Sequence, residues 1–175
     1  MAIERSRRPV AVARMTSMAY ALLDAAPLCA IATAKPNGDP HVNTAYFAWN
    51  STFEVVWLSE PRARHSRNLR SNEAATIAVY DSSQPWDRPG RGIQLFGTAG
   101  EIDGTDRERY EWLYAERFPA YSPGSLRAYR LYRFRAHSVK LLDEPVLGGG
   151  VFVVARVGRG RRLVWERTEL YRSDT

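Results

Sequence analysis

The stretch Trp57-Leu58-Ser59-Glu60-Pro61-Arg62-Ala63-Arg64-His65-Ser66-Arg67-Asn68-Leu69 gathers the side chains best suited to chemistry. An apolar run ends, a proline suited to the first helical position follows, and cations cluster around the start of the helix. Free N–H groups at a helix N-terminus attract anions, and the helix dipole adds to the pull. Arg64 and His65 are charged donors for a phosphate held there. The same residues also fit a solvated basic helix whose arginines pair with Glu60 or Glu73, the common use of a charge run. Elsewhere the signals are weaker. His41, after Pro40, reads as a structural histidine, and His137 has no partner in sequence. Cys29 is the only cysteine, so no internal disulfide forms, and its apolar neighbours make it an inert core thiol. No Cys/His cluster has metal-ligand spacing and no Gly-x-Ser-x-Gly elbow occurs. The tryptophans read as core or interface, except Trp86, which lies between prolines where it could cover a flat ligand or a partner.

Short strands with turn signals between them must position these groups. Met15, Met18, Ala19, Leu22 and Leu23 repeat at helical spacing and predict a helix over 11–24, closed by Pro27. Residues 28–34 read as a strand and Pro36-Asn37-Gly38-Asp39 as a hairpin turn, because Asn-Gly tolerates positive φ. Strands follow over 41–49 and 53–58, the basic helix over 61–70, and strands over 74–80 and 92–102, with a proline-rich loop at 82–91. Thr105 and Glu108 have capping-box spacing at the start of a further helix with Tyr110, Leu113 and Tyr114 on one face. Ser125 is a candidate cap for another short helix. Closing strands read over 132–142, 151–157 and 163–170. This succession indicates an antiparallel barrel or sandwich, and the lack of Gly-x-Gly-x-x-Gly after a strand removes the usual dinucleotide fingerprint.

The bulk composition sets the limits. The chain has 175 residues, 45% of them apolar, which suits one domain with a real core. No apolar run is long enough to span a membrane. Four arginines lie within residues 1–14 with no apolar secretory segment after them, so no signal peptide is read. Together with the lone cysteine this suits a cytoplasmic location. The net charge is +6, and only Lys35 and Lys140 are lysines. Arginine grips planar anions with two prongs where lysine does not. The arginines are dispersed, and no motif supports nucleic-acid binding.

The order of hairpin, strands, basic helix, strand, loop and strand resembles the pyridoxamine 5′-phosphate oxidase-like family. The matching pieces are Gly38-Asp39-Pro40-His41-Val42, Arg64-His65-Ser66-Arg67-Asn68-Leu69, Asn72 with 75–80, and Gly97-Thr98-Ala99, within about residues 15–143. The resemblance implies a mainly β fold with flanking helices: a six-stranded antiparallel split β-barrel, dimeric, with FMN between subunits. The barrel would occupy 28–143 of a single 1–175 domain, and a C-terminal hairpin extension 144–175. The family's phosphate-gripping Arg-Lys pair falls on Arg64 and His65. Its residues touching the flavin ring and ribityl chain fall on Leu58 and Ser59, its second-strand arginine on Asn43, and its ring-edge glutamine near Gln94, with a slip of up to two residues. Histidine for lysine makes phosphate affinity weaker or pH-dependent, and no counterpart of the oxidase's C-terminal substrate segment is present, which argues against vitamin B6 oxidation. The implied function is flavin-dependent oxidoreduction of a small molecule. The deazaflavin coenzyme F-420 is the first alternative, its long phosphorylated tail matching the arginine excess. A non-catalytic flavin- or haem-binding protein is the second. No metal, nucleic acid or membrane partner is implied.

Overall fold

A computed structural model describes residues 2–6 and 9–172; Arg7 and Arg8 lie outside the described residues. The elements are β1 (Ala2–Ser6), α1 (Val12–Asp24), β2 (Leu28–Ala34), β3 (Pro40–Trp49), β4 (Glu54–Ser59), α2 (Arg64–Ser71), β5 (Ala74–Tyr80), β6 (Arg91–Glu101), α3 (Asp106–Arg117), β7 (Arg130–Asp143), α4 (Glu144–Leu147), β8 (Val151–Val157) and β9 (Leu163–Arg172). The strand order is β1-β9-β8-β7-β4-β3-β2-β5-β6, and β7 pairs also with β6, which closes β2 to β7 into the six-stranded antiparallel split barrel. The chain packs as two compact units: 1–26, 78–95 and 137–175 in one, 27–77 and 96–136 in the other.

In the first unit, α1 buries Met15, Met18, Ala19, Leu22 and Leu23, the stripe its spacing predicts. β8 and β9 pair with a bulge between Val154 and Ala155, and β1 adds to β9 in the register Ala2↔Arg172 to Ser6↔Thr168. β1 was not legible beforehand, since Ala-Ile-Glu-Arg-Ser alternates too weakly to stand out; its partner strand makes it a strand. Lys140 Nζ is held by Glu169 Oε2 at 2.8 Å and Tyr171 Oη at 3.0 Å, over the Phe152 ring.

The second unit carries the site. Along β2 burial alternates, with Cys29, Ile31 and Thr33 facing inward. The Asn-Gly turn forms as read: Gly38 has φ +90°, its N–H donates to Lys35 O at 2.9 Å, and Lys35 pairs with Asp39 at 2.8 Å. That turn sets the register Leu28↔Tyr46 to Ala34↔Pro40. Phe53 precedes β4 in a left-handed conformation, φ +60°, so the strand begins at Glu54. β4 lies between β3 and β7 and is buried along nearly its whole length, with Trp57 stacked on Tyr132 at 5.7 Å.

Two cap expectations fail. Thr105 sits in helical geometry and makes no side-chain cap bond. Asp106 and Glu108 in the first turn of α3 complement the dipole instead. Ser125 lies in turns rather than at a helix start, because Gly124 beside it takes φ +76°.

Burial pushes the Cys29 thiol up to about 12, with the Arg117 charge opposing it more weakly. At pH 8 roughly one molecule in ten thousand then carries thiolate. Native protein is expected to leave an aromatic disulfide reagent unreacted at pH 8 and to release one equivalent of chromophore once denaturant is added. Fast release without denaturant would contradict this burial.

Candidate functional site

β4 delivers Ser59 to the point where the chain turns into α2. Ala63 N–H donates to Glu60 O at 3.0 Å and Ser66 Oγ to the same carbonyl at 2.8 Å. Alanine at the cap position has no side chain to bond the first-turn amides, and that turn holds no acid. The N-terminus of α2 therefore keeps its free N–H groups and its positive dipole end. The helix is anchored by His65, Ser66, Asn68 and Leu69, all buried, and Asn68 Nδ2 donates to Thr33 Oγ1 at 3.0 Å.

The arginines of α2 point outward but differ in use. Arg67 donates to Arg62 O, and Arg70 to Pro61 O at 2.9 Å. Among the described residues no ion pair joins α2 to Glu60 or Glu73, and Arg64 has no hydrogen bond. The field of Arg64 reaches Asp39, whose carboxyl is held below its ordinary value chiefly by the bond from Lys35, then by Asn37, with Arg64 a smaller influence.

His65 is a different kind of group from Arg64. It is 7% exposed, and its Nε2 lies 2.6 Å from Ser59 Oγ. Its ring stacks parallel to His41 at 6.3 Å and meets Tyr132 edge-on at 6.5 Å. Burial, then the His41 charge, hold the imidazole below its ordinary value. The neutral form is therefore favoured at neutral pH, and a neutral ring accepting at Nε2 takes the bond from the Ser59 hydroxyl. The sequence reads His65 as a charged donor; burial instead favours its neutral form.

Ser59, Ala63 and His65 open onto a cavity of about 670 Å³. Asn43, Leu58, Ser59 and His65 all line it, so four of the six residues singled out from sequence meet at one place. Arg64 adjoins the cavity through its neighbours on α2, its side chain exposed. Gln94 is not among the residues that line this cavity; it is exposed on β6 in the other unit, where it lines a cavity of about 230 Å³ with Tyr80, Lys140 and Phe152. Asn43 Oδ1 is buried without a hydrogen-bond partner, an acceptor left for a ligand's donor. The far wall is aromatic: Tyr46, Tyr114, Phe118, Tyr121 and Tyr129, with Tyr114 against Phe118 at 4.9 Å and Tyr46 against Phe118 at 5.6 Å. Burial pushes the Tyr114 phenol up to about 12, so it stays neutral. The sequence reading missed this wall. The apolar face of Tyr110, Leu113 and Tyr114 hinted at it, but the aromatics in 118–129 sit among turns and carry no periodicity.

A cavity of this size, apolar on one side with a few converging polar groups and a helix N-terminus on the other, suits a flat ligand with an anionic tail. Among the described residues no three His, Cys, Asp or Glu side chains cluster as metal ligands, and no helix is long and apolar enough to cross a membrane.

Comparison with known proteins gives the following. The family model described as pyridoxamine 5′-phosphate oxidase matches residues 15–143. No curated protein matches the chain in sequence. Among solved structures, the chain is similar to a heme binding protein from Mycobacterium smegmatis (TM-score 0.66, 20% identity), covering 86% of this chain and 60% of that one. It is similar to a Clostridium acetobutylicum protein related to general stress protein 26 of B. subtilis, described as of the pyridoxinephosphate oxidase family (TM-score 0.63, 15% identity, 84% and 96% covered). It is also similar to an F-420 reductase (TM-score 0.53, 20% identity, 68% and 93% covered). The chain thus spans less than two thirds of the mycobacterial protein's length, and at these identities the likeness is one of fold.

Proposed function

We propose, for a chain that belongs to the pyridoxamine 5′-phosphate oxidase family, that it is a flavin-dependent oxidoreductase holding FMN in the cavity beside Ser59 and His65. The observation that carries this reading is the aromatic-walled cavity of about 670 Å³ whose other side is the uncapped first turn of α2. The residues fit the cofactor. Free amides of α2 and the Ser59 hydroxyl suit the phosphate, Arg64 lends it charge, and the orphaned Asn43 Oδ1 suits a ring N–H. Leu58 and the tyrosine wall exclude water from an aromatic ring. When bound, FMN supplies the hydride or electron transfer, and the protein contributes binding, orientation and electrostatics. The scarcity of acid–base pairs in the cavity accords with that division of labour.

Two rivals share the fold. The deazaflavin coenzyme F-420 has the same phosphate requirement and a longer anionic tail, and one structural neighbour is an F-420 reductase. Haem binding is disfavoured at His65, whose Nε2 is already occupied by Ser59. The absorption spectrum of the purified protein separates the three. FMN gives a yellow preparation with a band near ~450 nm, haem an intense Soret band, and F-420 a colourless apoprotein that quenches added coenzyme fluorescence. Either of the latter outcomes overturns the FMN reading.

The active form is proposed to be a homodimer. Leu28 and Tyr46 are directly opposed across β2 and β3, and Val42 shares their face of β3; they are 43%, 56% and 60% exposed. An apolar stripe of this kind marks an interaction surface. Sedimentation is expected to give a dimer, and Val42→Asp to shift it to monomer while weakening FMN binding. A monomeric wild type that binds FMN tightly would refute the shared site.

A further inference from the structure

His65 and Ser59 form a pair whose hydrogen bond has a direction, and that direction conflicts with holding a dianion. Ser59 Oγ and His65 Nε2 lie 2.6 Å apart, and with a neutral imidazole accepting at Nε2 the Ser59 hydroxyl is the donor. Glu60 is the acid that lines the same cavity, and no ion pair joins it to the imidazole among the described residues; the groups in ring or hydrogen-bond contact with His65 are neutral or cationic. His41 stacks on it from β3, Tyr132 meets its edge from β7, Ser59 bonds it from β4, and Arg64 neighbours it on α2 itself. No carboxylate pairs with it among the described residues; the nearby acid, Asp39, is taken by Lys35. His65 thus has no ion-paired carboxylate, and a phosphate at the α2 N-terminus would supply the bonded counter-ion that charges it.

Resting on the FMN reading above, we propose that His65 is a proton-coupled lock. Binding of a phosphate dianion is accompanied by uptake of one proton on His65, and the Ser59 hydroxyl reverses. The balance is simple. Solvent supplies H⁺ to Nε2, the N–H now donates to Ser59 Oγ, and the freed Ser59 proton is donated to a phosphate oxygen. No covalent bond to the ligand forms. The pair therefore reads the charge of the phosphate: a dianion stabilises the imidazolium, whereas a ligand without phosphate does not. The ligand class favoured is a flavin carrying a terminal phosphate over the unphosphorylated flavin.

The sign follows by linkage. The folded free state binds fewer protons than the FMN-bound state wherever pH lies between the two values for His65, so affinity falls as pH rises through that window. The phosphate's own second ionisation lies near ~6 and acts the other way, and it is complete by about pH 7. Above that point the decline belongs to the protein.

The test is calorimetric titration of the dimer with FMN, and with riboflavin, between about pH 7 and pH 8, in buffers of small and large ionisation enthalpy. Wild type is expected to take up close to one proton per FMN, with Kd rising up to about tenfold per pH unit, and to take up none with riboflavin. His65→Gln keeps an acceptor toward Ser59 and is expected to lose both the uptake and the slope, whereas His41→Gln keeps them. Should His65→Gln misfold, the ¹⁵N shifts of the wild-type His65 ring must move from neutral to cationic on adding FMN. FMN binding without proton uptake, or uptake unchanged in His65→Gln, overturns the lock while leaving the cofactor reading standing. Absence of FMN binding overturns both.

Discussion

Gly97→Ala is expected to lower thermal stability more than any other single-methyl change in the barrel. A Cβ built on Gly97 meets the carbonyl oxygen of Arg135 at less than contact distance, and lies 2.7 Å from Phe134 Cζ and 2.9 Å from the Arg135 carbonyl carbon. The first and last are backbone atoms of β7, so no rotamer change relieves them. Phe134 is fully buried and has no room to withdraw. The strands must separate locally, with loss of packing around Phe134 and Ala99. Overpacking typically costs about 1–3 kcal/mol and more when backbone has to move; here roughly 3 kcal/mol is the expected floor. That is a large part of a domain's ~5–15 kcal/mol. Chemical denaturation should show the midpoint falling at constant slope, or no folded protein at all. A midpoint within error of wild type would mean the strands do not approach as described. Gly100→Ala on the same strand is the control, since nothing lies within 4 Å of its Cβ.

Arg64→Ala is expected to weaken FMN binding ten- to a hundredfold while leaving the fold intact. The side chain is exposed and makes no described hydrogen bond, so its removal takes no support from α2. Arg67 and Arg70, which clamp carbonyls ahead of the helix, would confuse the same test by loosening the turn. A charge-assisted hydrogen bond contributes about 1.5–3 kcal/mol, which sets the range. Fluorescence titration measures it, with raised salt expected to shrink the wild-type advantage because an exposed charge is screened. Equal affinities in wild type and variant would reduce Arg64 to a surface residue. Asp39→Asn provides the converse, because the Asp39 carboxylate shares the field of Arg64. Removing that acid should leave binding unchanged or slightly tighter.

Much of the strand framework was legible because short-range chemistry dictates it. The Asn37-Gly38 turn demands positive φ, and α1 declares its buried face through Met15, Met18, Leu22 and Leu23. The strand order was legible only through family resemblance. The alternation in β2 reports burial of one face, but it does not say that β4 lies between β3 and β7. Capping was misread at Thr105 because the first turn of α3 carries two acids that serve the dipole without it.

At the candidate site the division is sharper. Residue type and spacing alone pointed to a cation-rich helix start after Ser59, since amides, dipole and arginines are all local to residues 59–67. Only the family resemblance implied that His65 stands where a lysine would otherwise be. Only the tertiary structure decided that His65 is held below its ordinary value, because desolvation, and then the His41 charge, depend on what packs around it. Only it brought Asn43 to the cavity, set Gln94 in the other unit, and gathered tyrosines from β3, α3 and an aperiodic loop into one wall. Burial and proximity are properties of chain segments far apart in sequence, and no local pattern encodes them.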